Sequence, residues 1–117
     1  MTGQFEVTAE KLNDGTHELR LLGELDQATA PQLEEPLANA LGDGAGGGVL
    51  VNLTDCEFID STGIALLVNA YDRVGDNGRR FVLCCPHTQV RRLLEITGVD
   101  QGIELHDTRD EALAALS

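Results

Sequence analysis

Aromatic residues are scarce in this chain. Tryptophan is absent, and 117 residues include three phenylalanines and one tyrosine. Any core must therefore be aliphatic, drawn from the 42% of residues that are apolar. Positive charge is scarce too: Lys11 is the only lysine, and eight Lys and Arg stand against twenty Asp and Glu, a formal charge of −12. Phosphate contacts need a basic face, so direct nucleic-acid binding is excluded, and anionic membrane surfaces are excluded on the same ground. The acidic surface fits a partner that carries positive charge, and it fits plain solubility equally well.

Cysteine is limited to Cys56, Cys84 and Cys85. An odd number with two adjacent makes no disulfide framework, so all three are read as reduced thiols, with Cys84 ending a buried strand. There is no CxxC and no nearby His pair, so no metal site is expected. No apolar run approaches the roughly 18 residues of a membrane span. Residues 1–4 lack the basic and apolar regions of a signal peptide, and the expected location is the cytoplasm, away from membranes. Internal repeats are missing as well. One domain over residues 1–117 is expected, large enough to bury about two-thirds of its unfolded surface.

The most informative stretch runs from Val49 to Val68. Val49-Leu50-Val51 is a β-branched apolar run suited to a strand buried on both faces. A short polar loop follows, and then a helix over Thr62–Val74 with Ile64, Leu67, Val68 and Tyr71 on one face. Between them stands Asp60-Ser61-Thr62-Gly63. Asp, Ser and Thr all favour the N-cap, and Ser61 is expected to cap the helix through its hydroxyl. Gly63 would keep the approach to that helix end open. Free N–H groups and the helix dipole make such a site tolerant of negative charge.

Elsewhere, Phe5–Ala9 and His17–Leu22 alternate as strands around the turn signal Asn13-Asp14-Gly15, which predicts a hairpin. Thr29 as N-cap and Pro31 in the first turn start a helix whose apolar face is Ala30, Leu33, Leu37, Ala40 and Leu41. Gly42–Gly47 satisfies GxGxxG, but it follows a helix and precedes a strand, the reverse of a dinucleotide fingerprint. Residues 42–48 are therefore read as a flexible linker. Asp76-Asn77-Gly78 turns the chain into a strand over Arg80–Cys84. A helix with Val90, Leu93, Leu94 and Thr97 on one face comes next, with Arg91 and Arg92 facing water. Ile103–His106 is a short last strand, and Asp107 or Thr108 caps a final helix through Ala112, Leu113 and Leu116. Strands and helices alternating after a hairpin predict an α/β fold with parallel pairing.

Two blocks carry a resemblance to a known family. Phe58-Ile59-Asp60-Ser61-Thr62-Gly63, set between an apolar strand and an apolar helix, is one. Gly23-Glu24-Leu25-Asp26 followed by Thr29-Ala30 is the other. Together they resemble the STAS domains, and more narrowly the bacterial anti-sigma factor antagonists. The resemblance implies a single STAS domain: a mixed sheet opened by a hairpin and continued by parallel β-α units, with about four helices. It implies that Ser61 is phosphorylated by an anti-sigma factor that is itself a serine kinase, with ATP and Mg²⁺ held by that partner. Asp26 would lie beside Ser61 and position it, supported by Asp60, Thr62 and Gly63. Gln27, Thr29, Ser61, Thr62 and Ile64 would meet the partner.

In that scheme the unphosphorylated protein binds the anti-sigma factor and frees its sigma factor. Phosphorylation releases it, and a metal-dependent serine/threonine phosphatase resets it. The protein is a substrate, catalyses nothing and needs no cofactor of its own. The alternative within the same family is a non-switching interaction module in a lipid-transport complex or signalling scaffold. The chain departs from the pattern in its long glycine-rich segment 42–48, and it carries Thr62 where the family also uses Ser.

Catalytic readings fail on the residues. Ser61 lacks the G-x-S-x-G elbow, because Ile59 stands two places before it. His17, His87 and His106 are scattered, and no pattern sets one beside Ser61. A phospho-receiver needs paired acids after its first strand for Mg²⁺ and a late lysine, whereas Lys11 comes early. Clustered metal ligands are missing.

Overall fold

A computed structural model describes residues 5–42, 47–76, 78–84 and 86–116, with the backbone alone at Asp100. Parts of some expectations lie outside them: the centre of the glycine-rich segment, Asn77 of the turn, and the Cys85 thiol. Strand β1 (Phe5–Lys11) and strand β2 (His17–Leu25) form the expected hairpin, from Phe5 opposite Gly23 to Lys11 opposite His17. Helix α1 (Ala30–Leu41) follows, then β3 (Val49–Ile59), α2 (Ser61–Asp76), β4 (Phe81–Cys84), α3 (Thr88–Ile96), the single turn α4 (Val99–Gly102), β5 (Glu104–His106) and α5 (Arg109–Leu116). The sheet order is β1-β2-β3-β4-β5, antiparallel in the hairpin and parallel in the other three pairs. Four of the helices have eight residues or more.

The central strand explains the layers. Side chains of a strand alternate between faces. Val49, Val51 and Leu53 enter one cluster with Leu33 and Leu37 of α1, Leu67 and Val74 of α2, and Val90 and Leu94 of α3. Leu50 enters a second, smaller cluster with Val82, Cys84 and Ala112 of α5. The run Val49-Leu50-Val51 is thus buried on both faces, as expected of a central parallel strand.

Three expectations need correcting here. The polar loop after Val51 does not exist, because β3 continues to Ile59 with Cys56 and Ile59 buried and two exposed residues between them. A bulge hides the alternation: the β2–β3 register slips between Arg20 and Leu22 and again between Gly23 and Glu24. Gly23 has φ +99°, a conformation costly for any residue with a Cβ. Thr97 is not part of the apolar face of α3. It ends the helix exposed, and its hydroxyl donates to the Leu93 carbonyl at 2.8 Å. Arg91 does not simply face water either, since it pairs with Asp107. At α5 the open choice is settled: Thr108 Oγ1 accepts from the Glu111 N–H at 3.1 Å.

One arginine supplements the cap of α1, where the Gly42 N–H already bonds the Ala38 carbonyl. Arg79 donates to the Ala40 and Leu41 carbonyls at the end of α1 (3.1 and 3.2 Å) and to Gly47 (2.6 Å). It ties both ends of the glycine-rich segment to the entry of β4, and it supplies donors to carbonyls that a helix end leaves free.

Candidate functional site

The parallel pairing of β2 with β3 brings their C-terminal ends together, with Leu25 opposite Ile59. The two connections that leave these ends, β2–α1 and β3–α2, are stitched by Asp60. Its N–H donates to the Leu25 carbonyl at 3.0 Å, and its Oδ2 accepts from the Gln27 N–H at 3.1 Å. Asp26 therefore lies between two residues that are both bonded to Asp60. Ser61 is the next residue after Asp60 in the chain.

Asp60, and not Ser61, caps α2. Its Oδ1 accepts from the Gly63 N–H at 3.0 Å, and its carbonyl takes the first helical bond from Ile64 at 2.9 Å. This displaces the expectation for Ser61. Of two adjacent cap-forming residues, the one that can also reach the β2–α1 connection takes the role, and Ser61 moves to the first helical position. Ser61 and Thr62 are exposed, and the Ser61 hydroxyl takes no part in the hydrogen bonds that hold the described site together. The N–H groups of Ser61 and Thr62 precede the first helical bond, so this end carries the positive pole of the dipole.

Gly63 is buried and faces inward. A Cβ there would stand 2.7 Å from Leu25 Cγ and 2.8 Å from Ile59 Cγ1. It opens room for α2 to close on the sheet, and it does not keep the outer approach clear as expected.

Asp26 is half-buried and organises its own turn. Its Oδ1 accepts from the N–H groups of Ala28 (2.9 Å) and Thr29 (3.0 Å). Thr29 was expected as a side-chain cap, yet its hydroxyl makes no cap bond; it donates to Glu24 O at 2.6 Å and accepts from the Asp26 N–H at 2.9 Å. Thr29 is 5% exposed and Ile64 is 8% exposed, so both point into the fold. The outward residues of the expected set are Gln27, Ser61 and Thr62. Among the described residues, no group of three or more His, Cys, Asp or Glu could hold a metal. Likewise, no helix is long and apolar enough to cross a membrane.

A sequence model of the STAS domain matches residues 9–112. The chain belongs to the STAS family. The anti-sigma-B factor antagonist of Staphylococcus aureus is 35% identical to this STAS protein over 107 residues, 92% of this chain and 95% of the relative. An anti-sigma factor antagonist from Mycobacterium paratuberculosis superposes with a TM-score of 0.89 at 27% identity, covering 99% of this chain and 98% of that one. The anti-sigma factor antagonist SpoIIAA in its unphosphorylated form superposes at 0.78 with 25% identity, covering 92% and 93%.

Two features of this STAS domain escaped the sequence reading. Glu18 is 2% exposed, at the start of a strand where alternation gave no reason to bury an acid. It accepts from Arg109 Nε (2.8 Å) and Nη2 (2.7 Å) of α5 and from Asn52 Nδ2 at 3.1 Å. The Arg109 hydrogen bonds lead in holding its carboxyl below the usual range, against desolvation. Phe58 and Ile96, by contrast, are large apolar residues left exposed. Cys56 is an inert feature: burial pushes its thiol up to about 11, which suits a packing role and not a reactive one.

Proposed function

We propose that this STAS domain is an anti-sigma factor antagonist switched by phosphorylation of Ser61. The observation that supports it most is the separation of duties between Asp60 and Ser61. The carboxylate caps the helix and joins the two loops, and the hydroxyl beside it stays exposed with no structural task. A kinase can take that hydroxyl without dismantling the fold. In the unphosphorylated state the loops after β2 and β3 bind a serine-kinase anti-sigma factor, which then releases its sigma factor. The kinase holds ATP and Mg²⁺ and transfers the phosphoryl group to Ser61 Oγ, which loses its proton. A metal-dependent serine/threonine phosphatase reverses the modification.

The phosphate adds about −1.5 to −2 charges at neutral pH. In the bound complex those charges must be desolvated beside Asp26 and Asp60, which opposes binding. A shift of ~3 kcal/mol weakens association more than 100-fold, enough to change partners. Asp26 orients the Ser61 hydroxyl, Gln27 and Thr62 face the partner, and Thr29 acts indirectly by fixing Asp26.

The test is to incubate the purified protein with a panel of kinase-type anti-sigma factors and MgATP, and to map products by peptide mass spectrometry. Phosphate on Ser61, lost in Ser61→Ala, is expected. Asp26→Ala should slow single-turnover phosphorylation by about tenfold or more, within the range seen for lost positioning groups. Phosphate on Thr62 alone would overturn the assignment to Ser61, and a tight complex that is never phosphorylated would leave the non-switching interaction module as the correct reading.

A further inference from the structure

Among the described residues the exposed large apolar side chains are Leu22, Phe58 and Ile96. A single exposed apolar residue is ordinary. Phe58 and Ile96, however, line one open groove of about 270 Å³ between the end of β3 and α3, with Val90 and Leu93 along it and Arg92 at its edge. The groove is not needed for the fold: α3 packs on the sheet through Val90 and Leu94, while Ile96 is 73% exposed.

We propose that this groove is a second docking site for the anti-sigma factor and receives an apolar side chain of that partner. The proposal rests on the function proposed above. Phe58 is three residues from Ser61, so at roughly 3.3 Å per residue their Cα atoms lie within ~10 Å. A stable interface covers about 800 Å² on each partner, a disc of ~16 Å radius. A kinase centred on the Ser61 hydroxyl therefore reaches Phe58 and the groove beside it. The loops themselves present mainly polar and acidic groups, which steer encounter more than they hold a complex. Aromatic residues at pockets are where interface energy concentrates, and this groove is the apolar ground within the footprint.

The experiment is calorimetric titration of the wild type, Ile96→Asp and Leu22→Asp with whichever purified kinase-type anti-sigma factor of the panel binds the wild type, at fixed nucleotide. Ile96 is so exposed that Ile96→Asp should melt like the wild type, and a thermal scan checks this. Binding at least tenfold weaker for Ile96→Asp, with Leu22→Asp within about threefold, is expected. Unchanged affinity for Ile96→Asp overturns the groove while leaving the Ser61 switch standing. If no panel member binds the wild type, the switch and the groove fall together. Sedimentation velocity of the protein alone supplies the remaining arm. A wild-type dimer broken by Ile96→Asp, without loss of partner affinity, would mean that a second copy occupies the groove and would also overturn the proposal.

Discussion

Asp60 spends one carboxylate oxygen on α2 and the other on the β2–α1 connection, while Ser61 spends its hydroxyl on neither. Truncating these neighbours should therefore have unequal consequences for stability. Asp60→Ala removes a cap, and water can replace the exposed bond to the Gln27 N–H, so about 1 kcal/mol is expected in urea denaturation. Ser61→Ala should stay within about 0.5 kcal/mol of the wild type in the same experiment. A large loss for Ser61→Ala would return the capping role to the serine. Gly63→Ala is the third informative change. Its Cβ would collide with Leu25 and Ile59, and overpacking of this kind costs about 1–3 kcal/mol. Because those two residues end the strands that deliver the loops, partner affinity should fall along with stability.

At the scale of elements, the helical faces of α1 and α2 and the order of strands were readable because periodicity and turn residues act locally. Ala30, Leu33, Leu37, Ala40 and Leu41 are all buried, as their spacing requires. The full length of β3 was not readable, since β3 carries one extra residue against β2 between Asn52 and Asp55 and another between Cys56 and Phe58, which interrupts its alternation. The cap of α2 was hidden for a related reason. Asp60 and Ser61 are equally good local caps, and only the β2–α1 connection, 33 residues away in sequence, separates them. Glu18 was invisible because its partner is 91 residues away on α5.

That pair makes a measurable prediction. Arg109→Gln leaves Glu18 buried with reduced compensation, and about 2 kcal/mol should be lost at neutral pH, less than for a fully buried pair because Arg109 is a third exposed. The carboxyl of Glu18 is held low in the folded wild type. Its stabilising contribution is therefore present above the unfolded value, near pH 4.5, and is lost as pH falls through the lower folded value. In the variant the leading group that holds the carboxyl low is gone while Asn52 and Arg20 remain, so acid costs it less. The difference between the two melting curves should be widest near pH 7 and should narrow below about pH 5. A gap independent of pH would mean that Arg109 acts through packing alone.

The whole molecule is a strongly acidic body, with a net charge of −12, and the proposed switch adds still more negative charge at one end. Association with a positively charged partner should be fastest at low ionic strength. Raising salt from about 0.05 to 0.5 M should slow the on-rate more than it speeds dissociation, since exposed charges are screened beyond ~10 Å at 0.1 M. Stopped-flow binding at several salt concentrations checks this. An on-rate indifferent to salt would leave the acidic surface with solubility as its only role.

The separation of cap from acceptor also has a consequence for protein lifetime. Proteases act on the fraction of molecules that open, and that fraction follows stability. Phosphate on Ser61 gains from the helix dipole and loses against the Asp60 carboxylate, while the cap bond itself is untouched. The melting temperatures of the two forms should then agree within about 3 °C, and their half-lives under limited proteolysis should match. Signalling would consequently leave the amount of protein constant and change only which partner each copy occupies. A cell could then pass through many cycles on the same molecules, without new synthesis.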